Sequence, residues 1–326
     1  MKLSICIPTY NRANYIGATL DSIVMQLNSD VEIVILDGAS TDNTESVVAQ
    51  YQMHFNNIRY IKAEINSGVD ADLAASICEA QGEYCWLMSS DDLLIPQAIS
   101  IILTKLKNNS SILLVNRTEC TKEMVPVRKQ FWFPMDIGDS IFNLNNAKDI
   151  EKYLDSTDMI GALFSYIPCV IVRRKDWLSI AGSEEFFGSG YAHVFRLFSI
   201  LLRGCRLEYI SAQLVHCRMD NDSFSSNGLV SRYMLDFNGY LNIANKLFFD
   251  ESTKIAFLKV ITREHKWFRI VKLCSFILDD KQWIEVRKLL LDIGYPEFTL
   301  KICRIFGRFG KSISLLVYLK KKWQLI

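Results

Sequence analysis

The sequence lacks an excess of either charge. Its 37 lysines and arginines stand against 36 aspartates and glutamates, leaving a formal net charge of +1. Without a basic excess there is no electrostatic footprint for nucleic acid, and none is expected as a partner. It lacks any apolar run approaching the ~18 residues that cross a bilayer. A secretory leader is not expected, because the apolar start of MKLSICIPTYNR is broken by Pro8 and Asn11. Cysteines at metal or redox spacing are missing too. The nine cysteines contain no CxxC, their number is odd, and most lie in apolar runs where a thiol packs as a small hydrophobe. A reducing, cytoplasmic setting is therefore expected. There is no internal repeat and no low-complexity tract. What is present is a globular chain of 326 residues, half of them hydrophobic, long enough for two domains.

The first third alternates two periods. Leu3–Pro8, Val31–Leu36, Ile58–Ala63, Tyr84–Met88 and Ile112–Val115 are short apolar, β-rich runs. Between them, Tyr15, Ile16, Leu20, Ile23, Val24 and Leu27 recur at helical spacing. Asp42 and Glu45 have capping-box spacing and start a second helix near Asn43. Val69–Ala80 reads as a third helix, and a fourth, with Pro96 in its first turn, runs to about Lys107. Strands alternating with helices of this length predict an α/β fold of parallel βαβ units, helices covering both faces of the sheet. Residues 117–165 show no clean period. Cys169–Val172 and Leu207–Ser211 read as strands, Tyr191–Arg203 as a helix, and the chain from about Ser231 as helical. The expected organisation is 1–115, 116–230 and a helical 231–326.

In parallel α/β sheets, ligands bind at the carboxyl ends of the strands. Three polar segments follow strands directly: Pro8-Thr9-Tyr10-Asn11-Arg12, Asp37-Gly38-Ala39-Ser40-Thr41 and Ser89-Ser90-Asp91-Asp92. Adjacent carboxylates such as Asp91-Asp92 repel unless compensated. A divalent cation compensates hard oxygen ligands and also holds a diphosphate; helix capping by either aspartate is the competing explanation. Asp37 ends an apolar strand, where a carboxylate accepts hydrogen bonds from a base or ribose, or simply forms an Asp-Gly turn.

Taken together, SICIPTYNRANYIGATLDSI, EIVILDGASTDNT and NSGVDADLAASICEAQGEYCWLMSSDDLL resemble glycosyltransferase family 2. The resemblance covers about the first 110 residues. It implies a GT-A fold, that is, a Rossmann-like nucleotide-binding domain with a mixed central sheet. It implies a nucleotide-sugar donor held by Pro8, Thr9, Asn11 and Asp37, with Asn66, Gly68 and Asp70 lining the nucleotide pocket. It implies Mn²⁺ or Mg²⁺ with the diphosphate at Asp91 and Asp92. Ser90 stands where many members carry an acidic residue, which leaves Asp92 as the expected direct metal ligand and Asp91 as a contact to the ribose or a metal-bound water. Inverting members use an acidic base at the start of a later helix. The matching segment, 190–197, has no acid, and His193 takes about that place; Asp158, Glu184 and Glu185 are the fallbacks. Arg218, in a polar cluster with Asn221-Asp222-Ser223, resembles the loop that folds over the diphosphate, an ordinary surface turn being the alternative. For Trp132, Trp177 and Trp267, core packing outweighs sugar stacking, and a solvated loop accounts for Arg173-Arg174-Lys175.

The same phrases are similar to abequosyltransferases and related enzymes of O-antigen assembly. That likeness implies a 3,6-dideoxyhexose donor and an acceptor on undecaprenyl diphosphate. Residues 301–326 fit such an acceptor. Ile302, Ile305, Phe306, Phe309, Ile313, Leu316 and Val317 fall on one helical arc, and Lys301, Arg304, Arg308 and Lys311 on the other side, followed by Lys320-Lys321-Lys322. A basic amphipathic helix suits the anionic inner face of the cytoplasmic membrane; docking on its own core is the alternative. Two rivals are a sugar-1-phosphate nucleotidyltransferase, which needs a glycine-rich basic loop this chain lacks after its first strand, and a non-catalytic subunit of an envelope assembly complex.

Overall fold

The computed structural model describes residues 1–219, 221, 224 and 228–309. The chain divides into two compact units, Met1–Asn221 and Asp222–Ile326.

The first unit is built on one ten-stranded sheet. Strands β1 (Leu3–Thr9), β2 (Val31–Asp37), β3 (Ile58–Lys62) and β4 (Tyr84–Leu87) lie in the order β3-β2-β1-β4, all parallel. Every residue of β1, β2 and β4 is buried, as expected of strands covered on both faces. The polar exceptions are satisfied in place: Glu32 accepts from Ser4 Oγ at 2.6 Å and from the Gln81 amide at 2.6 Å. Helices α1 (Ala13–Val24), α2 (Thr44–Gln52) and α3 (Val69–Glu79) make the crossovers. Because β2 and β4 flank β1 on opposite sides, the order reverses at β1. That reversal opens a crevice at the carboxyl ends, where the three polar loops emerge.

Beyond β4 the sheet becomes mixed. Strand β9 (Val170–Arg173) runs antiparallel between β4 and β6 (Ile112–Cys120). The 14-residue β10 (Cys205–Arg218) is parallel to β6, with irregular register around Gln213. Its far end pairs antiparallel with β5 (Leu93–Leu94), the two residues after Asp91-Asp92. This pairing fixes the acidic turn against residues 215–218.

Here the structure corrects several expectations. Leu93–Leu94 is a strand, and α4 (Ala98–Lys105) begins only after Gln97 takes a left-handed φ of 70°, so Pro96 precedes the helix. Residues 117–165 are not irregular. They hold β7 (Pro126–Gln130) on the edge of β6, β8 (Ser140–Leu144) on the edge of β10, and α5 (Ala147–Asp155), whose Asn146 side chain accepts from the Asp149 amide. Two further helices are α6 (Arg174–Leu178) and α7 (Ala192–Leu202). Arg173 and Arg174 are not a solvated loop: Arg173 is buried and donates to Tyr84 Oη and Asn109, and Arg174 donates to the Ile77 and Cys78 carbonyls.

The second unit is helical: α8 (Gly228–Leu247), α9 (Glu251–Glu264), α10 (Trp267–Phe276), α11 (Asp280–Ile293) and residues 297–309, α12. Its core joins Phe237, Tyr240, Phe257, Ile261, Leu273 and Leu290. Asp250 and Asp279 cap α9 and α11 through their side chains. The described part of the tail differs from the wheel expectation. Arg304 is buried, donates to the Cys274 carbonyl at 3.1 Å and lies over the Trp283 ring. Arg308 pairs with Asp280, and Lys301 with Glu297 at 3.2 Å. The cationic side thus docks on acids of its own unit, while Phe298, Ile305, Phe306 and Phe309 are exposed. Lys311, Ile313, Leu316, Val317 and Lys320-Lys321-Lys322 lie outside the described residues.

Candidate active site

The loops after β1 and β2 are laced together. Asn11, at φ 51°, accepts at Oδ1 from the Thr41 amide at 2.8 Å, and its own amide donates to Ser40 Oγ at 2.8 Å. Asp42 accepts from the Ala13 amide at 3.0 Å. The Asn11 side chain therefore staples the two loops. Pro8 and Thr9 end β1, both buried; Thr9 pairs in register with Asp37, and its Oγ1 has no partner.

Asp37 is fully buried. Its Oδ1 accepts from the Ser40 amide at 2.7 Å and its Oδ2 from Tyr60 Oη. Burial and then Asp37 itself push the Tyr60 phenol far above its ordinary range, so Tyr60 is the donor. Asp37 thus forms the tight turn, and with two donors on a carboxylate of about four lone-pair sites it keeps accepting capacity for a ligand. Gly38, next to it, is required by a close approach: a Cβ there would stand 2.5 Å from Asp72 Oδ2 and 3.4 Å from Asn66 Oδ1. Asn66 itself is exposed and accepts at Oδ1 from the amide of Gly68, which sits at φ 85°.

At the acidic turn the two aspartates differ. Asp92 is 3% exposed and accepts three hydrogen bonds: from Ser89 Oγ at 2.6 Å, Tyr166 Oη at 2.7 Å and the Arg218 amide at 2.8 Å. Burial first and Asp91 second raise its carboxyl to about 6. Tyr166 is held in turn by Arg117, whose guanidinium lies 3.7 Å over the ring, and by Cys217. Asp91 is half-buried; its Oδ2 accepts from Asn221 Nδ2 at 2.6 Å, and its carbonyl accepts from Arg218 Nε at 3.0 Å. The expectation that Asp92 is the direct metal ligand meets a physical objection, since its lone pairs are largely taken by protein donors. Asp91 is the carboxylate with room. Arg218 does not hang free over a diphosphate: it also donates to the Lys122 carbonyl and lies over the Tyr15 ring at 5.1 Å. Asp222 and Ser223 of its cluster are outside the described residues.

Two further expectations change role. Asp70 is 6% exposed, and its carboxylate accepts from the amides of Gly188 at 2.9 Å, Gly190 at 2.8 Å and Ala192 at 3.3 Å. It clamps the loop leading into α7. His193, the second residue of α7, is 3% exposed with Nε2 bonded to the Phe164 carbonyl at 2.9 Å. Burial lowers its pKa despite the nearby Asp70. A neutral ring sealed in this way has no path to an acceptor hydroxyl, so the geometry does not support it as the general base. Among the fallbacks, Asp158 and Glu185 are exposed and Glu184 pairs with Arg196 at 3.3 Å. Trp132 and Trp177 are core residues, whereas Trp267 is 61% exposed.

The sequence reading missed Asp72, Tyr60, Tyr166, Arg117 and Cys217 as parts of the site. Asp72 lay within a quoted motif. Tyr60, Arg117 and Tyr166 carry no local signal, because β3, β6 and the loop at 166 bring them together, whereas Cys217 adjoins Arg218 of the polar cluster.

Among known proteins, the profile of glycosyl transferase family 2 matches residues 4–177. The chain is 35% identical over 327 residues to the abequosyltransferase RfbV of Salmonella typhimurium strain LT2, covering 98% of each chain. Its fold is similar to that of S. aureus TarS 1–349 in complex with UDP-GlcNAc, with a TM-score of 0.67 at 18% identity, covering 98% of this chain and 92% of that one. It is also similar to the mannosyltransferase PcManGT from Pyrobaculum calidifontis in complex with GDP-Man and Mn²⁺, with a TM-score of 0.52 at 15% identity, covering 95% and 86%. A family match over more than half the chain, a relative matched end to end and a shared fold converge: this chain belongs to glycosyltransferase family 2 and has the GT-A fold.

Proposed function

We propose that this glycosyltransferase moves a sugar, a 3,6-dideoxyhexose such as abequose, from a nucleotide donor to a lipid-linked oligosaccharide on undecaprenyl diphosphate. The end-to-end likeness to an abequosyltransferase supports the donor and acceptor class. The observation that carries the catalytic reading is the unequal pair at the acidic turn. Asp92 is consumed by three protein donors and fixes the turn, while the half-buried Asp91 accepts a side-chain bond only from Asn221 among the described residues. The nucleoside lies at the Asp37 corner and the diphosphate at Asp91, one strand end on either side of β1. Among the described residues no group of three His, Cys, Asp or Glu side chains is placed to hold a metal ion. Asp91 is the carboxylate that would hold Mg²⁺ or Mn²⁺ beside a bound diphosphate. Such an ion supplies charge neutralisation for the departing nucleoside diphosphate. Asp91 orients that end of the donor, Asn221 and Arg218 hold Asp91 and its backbone, and the α7 loop clamped by Asp70 borders the acceptor side. Transfer assays with a deoxysugar nucleotide and a lipid-linked acceptor test this; absence of transfer by the wild type, or unchanged transfer by Asp91→Asn, overturns it.

The membrane contact is part of the same proposal, in altered form. No described helix is long and apolar enough to cross a bilayer. On the second unit, Phe298, Ile305, Phe306 and Phe309 are exposed, and α12 reaches the exposed Trp267 through the bond from Cys303 Sγ to the Trp267 carbonyl at 3.5 Å. An aromatic and aliphatic face of this kind inserts at the interface, with Lys301 and Arg308 at its margin. A peripheral site on the inner face of the cytoplasmic membrane fits an acceptor carried on lipid.

A further inference from the structure

We propose that Asp72, together with Asp37, reads the donor's nucleobase and selects one that presents an exocyclic amino group, cytosine or guanine, over uracil or thymine. The inference rests on the reading that the nucleoside binds at the Asp37 corner, and it names which nucleoside.

Asp72 lies in the first turn of α3, and its carboxylate reaches across the Cα of Gly38, where any side chain would displace it. It is 4% exposed, yet no described residue donates a hydrogen bond to it. A buried carboxylate without a donor is costly, and native structures keep such a group where a ligand supplies the partner. Its position beside the buried Asp37 raises the cost further, and among the described residues no lysine or arginine bonds to either one. Thr9 gives a second, independent sign. It is 4% exposed, its Oγ1 is buried with no partner among the described residues, and its place opposite Asp37 in parallel register puts it on the same side of the sheet. Three polar groups at one strand end thus have unfilled hydrogen-bonding capacity.

The chemistry of these groups decides the ligand. Two neighbouring carboxylates accept and do not donate. Cytosine offers them an amino group with two N–H bonds, and guanine a contiguous N–H and amino edge. Uracil and thymine offer a single N–H flanked by two carbonyl oxygens, so a carboxylate placed for the neighbouring position meets an acceptor. A site built to satisfy a ligand's donors rejects the analogue that lacks them, because its own buried groups are then left unpaired.

The test is calorimetric titration of the full chain with CDP, GDP, UDP and dTDP in the presence of Mn²⁺, for wild type, Asp72→Asn and Asp72→Ala. The expected result is CDP or GDP binding at least about tenfold tighter than UDP and dTDP, the worth of one charge-assisted hydrogen bond. Asp72→Asn, which replaces an acceptor oxygen by an amide donor, should bring the bases within about threefold of one another. UDP or dTDP binding tightest to the wild type overturns this inference and leaves the nucleotide-sugar reading standing. So does a preference that survives in both variants. Failure of all four nucleotides to bind the wild type removes both. The wild-type ranking decides even where a variant fails to fold, and melting temperature identifies such a variant.

Discussion

At the scale of the residue, neighbouring carboxylates with the same local sequence signal do different work, and burial separates them. Asp91 and Asp92 are adjacent, but only Asp92 spends its lone pairs on Ser89, Tyr166 and Arg218. Asp91→Asn is expected to lower kcat by about 10²-fold or more, the scale of losing one preorganised electrostatic partner, with the melting temperature unchanged. Asp92→Ala should lose activity and also unfold at lower temperature, since it strands three donors in the interior; scanning calorimetry beside a transfer assay separates the two. His193→Gln should leave kcat per folded molecule within a few-fold, because the ring is sealed against the Phe164 carbonyl; a loss near that of Asp91→Asn would restore it as a base. Asp72 carries a pH signature. Burial first and Asp37 second raise its carboxyl from 3.8 to about 6. A folded value above the unfolded one means that the penalty is absent below pH 4, grows between 4 and 6 and is full above 6. Asp72→Asn should therefore melt higher than wild type at pH 7.5, with the difference gone by pH 4; a variant that melts lower at pH 7.5 contradicts the assignment. Asp37 and the Asp91-Asp92 turn could be singled out in the sequence because the first ends an apolar strand and the second follows one within a few residues. Tyr166 and Arg117 could not, because their meaning arises only when β6, β10 and the 166 loop meet.

At the scale of the element, legibility followed burial. Strands β1, β2 and β4 are covered on both faces and read as near-continuous apolar runs, and the helices between them kept their period. Strands β7 and β8 failed that reading because they are edge strands. Four of the five residues of β7 are exposed, Arg128 and Lys129 among them, as edges protected by charge commonly are. Strand β5 was hidden in a helix-like apolar stretch, since two residues carry no period and only pairing with His216 and Val215 defines them. The start of α7 is an element-level device: one carboxylate, Asp70, gathers three amides of a glycine-rich approach. Asp70→Asn keeps the shape but turns one acceptor into a donor facing amides, at a cost of about 1–3 kcal/mol. Hydrogen exchange should then speed at Gly188, Gly190 and Ala192, while β1 stays protected. Unchanged exchange at those amides would show that the loop is held by something else.

At the scale of the whole molecule, one sheet carries both the nucleotide edge and the mixed half, and a second unit of helices follows. The parallel α/β half was legible from strands alternating with helices, whose carboxyl ends share one edge, while the GT-A assignment came from the resemblance carried by three motifs. The tail was only half legible. Among its described residues, Asp280 and Glu297 capture the cationic side, a tertiary choice no wheel contains. Phe306→Asp together with Phe309→Asp should lower partitioning onto anionic vesicles by about tenfold or more, given the apolar area withdrawn, whereas Lys301→Ala should change it little. The central claim, a nucleotide site completed by a metal ion at Asp91, is tested most directly by the melting temperature of wild type and Asp91→Asn with CDP, UDP, GDP and dTDP, each with and without Mn²⁺. The expected result is a rise with at least one nucleotide that Mn²⁺ enlarges in the wild type and not in Asp91→Asn. A metal-enhanced rise that persists in Asp91→Asn and disappears in Asp92→Asn, with that variant still folded, would contradict the assignment.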